Sequence, residues 1–131
     1  MARALALGAT AIVLAALDLA HKAAAGADHF HARSPAYAAV VIVLATAWVV
    51  AILGTRSLSL ALAGGVVAGG ALGNLLSLVI WPGVPNPIVL EPIALNLADV
   101  FVLAGFLGVA AAALAIVART PERLREPVRL G

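Results

Sequence analysis

Four apolar runs separated by short polar stretches leave few ways to fold this chain. The last of them, "VFVLAGFLGVAAAALAIVA" (100–118), carries no charge before Arg119. A run of about 17–25 apolar residues crosses the hydrocarbon of a bilayer as a helix, because lipid offers the backbone no hydrogen-bond partner. The predicted spans are 4–24, 35–53, 57–81 and 94–118. Composition agrees. Of 131 residues 64% are hydrophobic and only 11% charged, whereas soluble domains carry about a quarter charged. The expected fold is therefore all-α: a polytopic membrane protein with four transmembrane helices in one bundle over residues 1–118, and a basic tail over 119–131. With no cysteine, disulfides, thiolate metal sites and cysteine nucleophiles are excluded. No basic patch is interleaved with aromatics, so nucleic acid is not an expected partner. Nothing in the chain implies a cofactor.

The basic residues set an orientation. Arg3, Arg56, Arg119, Arg123, Arg125 and Arg129 fall on one side of the four spans, and only Lys22 and Arg33 on the other. The positive-inside rule places both termini in the cytoplasm (N-in/C-in) and the first and third loops outside. The tail arginines suit an anionic leaflet, so membrane lipids are expected partners. Arg3, the following apolar core and "AAAGA" also have the layout of a signal peptide. Its removal would discard Asp18 and Lys22, which fit the remaining helices, so a retained first helix is expected.

The few polar residues in the spans share one depth. At about 1.5 Å of rise per residue, Asp18 lies about 9 Å, Asn74 about 10 Å and Asp99 about 7–8 Å below the outer ends of their helices. An ionisable group at such depth costs up to about 2.5–3.5 kcal/mol, so it faces a partner or a water-filled cavity. Asp18 and Lys22 are spaced i,i+4 and can pair on one helix. Asp99 has no basic residue at i±3 or i±4 and is the stronger candidate for function. Gly65, Gly69 and Gly73 form an i, i+4, i+8 stripe that admits a neighbouring helix closely. Asn74, beside that stripe, is placed to donate across the contact or to orient a carboxylate. In the first loop Asp28, His29 and His31, with His21 nearby, offer His-x-His beside an acid. The spacing that makes zinc motifs specific is missing, so no metal site is expected. With Arg33 these histidines suit a phospholipid headgroup or a substrate backbone instead.

"GGALGN" (69–74) followed by "LNLAD" (95–99), with "LDLAHK" (17–22) in the first helix, resembles the lipoprotein signal peptidases. These are four-helix aspartic endopeptidases that cleave the signal peptides of lipid-modified prolipoproteins at the outer face of the bacterial cytoplasmic membrane. The resemblance implies that location, lipid-modified prolipoprotein signal peptides as partners, and Asp99 as one of two catalytic aspartates. Asn96, Asn74, Asp18 and Lys22 match supporting positions. The implied mechanism is a carboxylate pair sharing one proton, with one member activating water.

The departures are as informative. The family's Asp-Arg after the glycine motif reads Ser77 and Leu78, its phenylalanine before the last motif reads Leu95, and its second catalytic aspartate reads Asn86. No Asn-x-Gly-x-x-Phe element follows the first helix. Of the other acids, Glu122 and Glu126 fall in the tail, Asp28 in an outer loop, and Asp18 beside Lys22; Glu91, eight residues before Asp99, is the possible substitute by topology. Asn86 could position water or donate to an oxyanion, but it cannot share a proton. Three readings stand open: an endopeptidase with one aspartate replaced, a catalytically silent relative that binds lipidated peptides or a membrane partner, and a structural or transport-associated bundle.

Overall fold

The computed structural model describes residues 1–26 and 29–119. Asp28 and the tail residues Glu122, Arg123, Arg125, Glu126 and Arg129 lie outside the described residues. Four helices carry the fold: α1 (Ala2–Ala25), α2 (Pro35–Gly54), α3 (Leu58–Ile80) and α4 (Leu97–Arg119). All four are long and apolar enough to cross a membrane, as expected of a multi-pass membrane protein.

Local chemistry sets the helix ends. Ser34 precedes Pro35 and accepts a hydrogen bond from the Tyr37 backbone N–H at 3.2 Å, capping α2. Ser57 does the same for α3 through the Leu60 N–H at 3.3 Å. Each cap satisfies a first-turn donor that the helix itself leaves unpaired. Gly26, at φ +64°, ends α1 in a conformation that favours glycine.

The bundle is built around α3, which packs on α1 along one side and on α4 along another, with α2 more loosely attached. Glycines make those approaches possible. A Cβ at Gly65 would meet the Leu7 carbonyl of α1 at 2.7 Å, and one at Gly69 the Ala11 carbonyl at 3.0 Å. Gly70 instead faces the Ala98 carbonyl of α4, and Gly64 faces Ile52 of α2. At the end of the bundle holding Met1 and Arg119, Leu7, Ile52 and Ala61 form a small apolar core, and Arg3 donates to the Thr55 carbonyl. Large apolar side chains face outward: Leu44, Leu103 and Leu114 are 63%, 63% and 69% exposed, while Asp18 and Ser77 are fully buried. That inversion suits a lipid surroundings.

The opposite end departs from the expected run of plain loops. Four short strands appear there: β1 (Phe30–His31), β2 (Val84–Pro85), β3 (Ile88–Leu90) and β4 (Ile93–Leu95). β1 pairs antiparallel with β2, tying the first loop to the third, and β3 pairs with β4 as a hairpin. The fourth helix consequently starts at Leu97 rather than at 94, because residues 93–95 are paired as a strand and Asn96 caps the helix. Asp99 thus sits only about 3 Å along the axis of its own helix. It still meets Asn74 because α4 begins deep in the bundle, well below the ends of α1 and α3. Val84, Pro85 and Asn86 are buried beside that recessed start. Non-helical backbone at such depth needs internal partners, and here the Asn86 N–H donates to the His29 carbonyl at 2.9 Å.

Candidate functional site

Three helices converge on a buried ion pair. Lys22 Nζ lies 2.6 Å from Asp18 Oδ2, with both side chains fully buried. The lysine also donates to Asn74 Oδ1 and to Ser77 Oγ, each at 2.9 Å, so its three N–H groups are all engaged. The other Asp18 oxygen accepts the Ala98 N–H at 2.8 Å. That N–H belongs to the first turn of α4, where a carboxylate is favoured by the helix dipole. Gly73 admits the pair: a Cβ there would fall 2.6 Å from Asp18 Oδ2. Ser77 hands its own hydrogen to the Gly73 carbonyl at 2.7 Å. A buried pair with every polar atom engaged fixes the arrangement of α1, α3 and α4.

Asn74 extends the network to Asp99. Its Oδ1 accepts from Lys22 while its Nδ2 donates to Asp99 Oδ1 at 3.1 Å. The other Asp99 oxygen accepts the Asn96 N–H at 3.1 Å, and Asn96 Oδ1 accepts the Asp99 N–H at 3.1 Å. This reciprocal exchange over three residues is a capping box at the start of α4.

Asn96 also leads away from the helix. Because its Oδ1 is engaged by a backbone N–H, its Nδ2 must donate, and it meets Asn86 Oδ1 at 2.7 Å. Asn86 Nδ2 then donates to His31 Nδ1 at 2.7 Å, which makes that ring nitrogen the acceptor. Asn86 is only 1% exposed, with both ends of its amide engaged.

A half-open cavity of about 610 Å³ lies between α2, α3 and α4. Its wall includes Tyr37 and Trp48 of α2, Val67 and Asn74 of α3, and Asp99 and Phe106 of α4. Asn74 and Asp99 mark one end. Toward the other, Trp48 donates to the Gly64 carbonyl at 3.2 Å and meets Phe106 edge-on at 5.0 Å. Among the described residues Asp99 is the single carboxylate on this wall.

The structure therefore brings together Asp18, Lys22, Asn74, Asn96 and Asp99, and joins Asn86 to them through Asn96. Glu91 stands apart, exposed at the turn of the β3–β4 hairpin. Of the histidines, His31 holds the Asn86 side chain, the His29 carbonyl accepts the Asn86 N–H just past β2, and His21 is half-buried on α1. Among the described residues no three His, Asp or Glu side chains gather as metal ligands. The aromatic wall from α2 escaped the sequence reading. Tyr37 and Trp48 are eleven residues apart, three turns of helix, so they share a face; the near-uniform apolarity of α2 hides that face. The fold and site thus define a four-helix multi-pass membrane protein with a buried polar cluster opening onto a half-open apolar cleft. No protein-family model, curated protein or solved structure matches the chain.

Proposed function

We propose that this is a lipoprotein signal peptidase-like protein of the bacterial cytoplasmic membrane, oriented N-in/C-in with its site near the outer face, that binds lipid-modified prolipoprotein signal peptides without hydrolysing them. The resemblance in "GGALGN", "LNLAD" and "LDLAHK" supports the family. One observation supports the silent reading. Asp99 is the single carboxylate on the cavity wall among the described residues, and the position of its expected partner is held by an amide engaged at both ends. A shared-proton pair needs two adjacent carboxyl groups. Asp18 is bound to Lys22 and the α4 backbone, and Glu91 is exposed at the hairpin turn. The rival reading is an active aspartic endopeptidase in which some other group completes the site.

The deciding measurement exposes a lipid-modified model prolipoprotein to the purified protein and to Asp99→Asn, Glu91→Gln and Asn86→Asp variants, scoring binding and cleavage. Binding without cleavage by the parent is expected. Cleavage that disappears in Asp99→Asn would establish the endopeptidase instead. Neither binding nor cleavage would remove both readings and leave a structural bundle.

A further inference from the structure

We infer that the cleft between α2, α3 and α4 is a binding site for an aminophospholipid, with its alkyl chain along the aromatic wall and its primary ammonium on Asp99. This site does not depend on the prolipoprotein reading.

Charge comes first. Asp18 and Lys22 pair directly, and the hydrogen-bonded route from Lys22 to Asp99 runs through the Asn74 amide, with a weaker attraction through space beside it. Among the described residues Asp99 has no cation within ion-pair distance. Its two oxygens accept one neutral N–H each, leaving about half of a carboxylate's acceptor capacity free. A carboxylate on a mostly apolar wall is costly in a membrane, and a ligand cation offsets that cost. A primary ammonium supplies both charge and N–H donors, which strengthens the contact over a neutral one. At the rim, the Arg33 guanidinium lies 4.7 Å from the ring centre of Tyr37, itself a residue of the cavity wall. A carboxylate inside and a guanidinium at the mouth complement a headgroup carrying both ammonium and phosphate.

Shape selects the rest of the ligand. From Tyr37 to Ala51 the α2 wall runs about 21 Å at 1.5 Å per residue. An alkyl chain needs no hydrogen-bond partner and matches the mainly apolar stretch between Asp99 and the Trp48–Phe106 contact. Small side chains at Ala45, Ala68 and Ala71 open the slot, and the Trp48–Phe106 contact narrows its far end.

The test is native mass spectrometry of the full chain released from membranes containing equal amounts of phosphatidylethanolamine, phosphatidylcholine and phosphatidylglycerol. One phosphatidylethanolamine per chain should be retained, with a preference of about tenfold over the other two, the scale of one charge-assisted hydrogen bond. Asp99→Asn should abolish the preference. Since that change also touches the α4 cap, Ala45→Trp is the second variant: it fills the slot from α2 and should abolish retention while thermal unfolding in detergent stays cooperative. Equal retention of all three lipids, preference for phosphatidylglycerol, or unchanged retention in Ala45→Trp would each overturn the proposal.

Discussion

Asn96 sets where α4 begins and which way a line of side-chain amides points. Its Oδ1 is committed to the Asp99 N–H, so its Nδ2, then Asn86 and then His31 take fixed roles. Asn96→Ala removes the cap and leaves Asn86 Oδ1 without its donor, and should lower stability by about 1–2 kcal/mol. Asn96→Asp keeps an acceptor for the Asp99 N–H but presents oxygen to Asn86 Oδ1. The Asn86 amide can turn over, because His31 can move its hydrogen to Nδ1 and become the donor. Asn96→Asp also sets oxygen against the Pro85 carbonyl, which accepts from Asn96 Nδ2 at 3.4 Å, and buries a second carboxylate beside Asp99. It should therefore lose at least as much as Asn96→Ala in thermal unfolding in detergent; a smaller loss would show that the turned amide line offsets the added charge. The N-x-x-D spacing of "NLAD" is legible as a capping pattern. The resemblance reads the same two residues as chemistry, and the geometry shows that they also build the helix start. The link from Asn96 to His31 could not be read from the sequence, because it joins positions 55 and 10 residues from Asn86 across two loops.

Among the elements, α3 shows best what a pattern reveals and what it hides. The stripe Gly65, Gly69, Gly73 points to a close neighbour, and α1 is that neighbour. Gly70 carries no periodic signal, yet its face lies against the α4 backbone. Hydropathy placed all four helices but misjudged the fourth start, since an apolar strand at 93–95 and an apolar helix turn look alike in composition. Gly70→Ala should destabilise the bundle by about 1–3 kcal/mol, the range for overpacking, because its Cβ meets a carbonyl that cannot rotate away. Gly8→Ala is the internal control: nothing lies within 4 Å of a Cβ at that position. There the usual helical gain of about 0.5–1 kcal/mol should appear. Unfolding of both variants in the same detergent decides the matter; a harmless Gly70→Ala would mean that α3 and α4 are not held this closely.

For the whole molecule, the placement of the basic residues bears on which side of the membrane the polar cluster faces. The helix order places the Thr55–Ser57 connection at the end of the bundle with Met1 and Arg119, and the β3–β4 hairpin at the other. Six of the eight basic residues belong to the first end by sequence, and short loops rich in Lys and Arg stay on the cytoplasmic side. The chain's lack of cysteine allows a clean measurement with single-cysteine variants. Glu91 and Leu58 are both exposed, one at the hairpin turn and the other at the first residue of α3, so neither change disturbs a core. In intact cells a membrane-impermeant maleimide should label Glu91→Cys, while Leu58→Cys should react only after permeabilisation. The reverse pattern would put Asp99 at the cytoplasmic face and remove the proposed encounter with prolipoproteins at the outer one. It would leave the lipid site standing, because the carboxylate, the aromatic wall and Arg33 keep their relation whichever leaflet they meet.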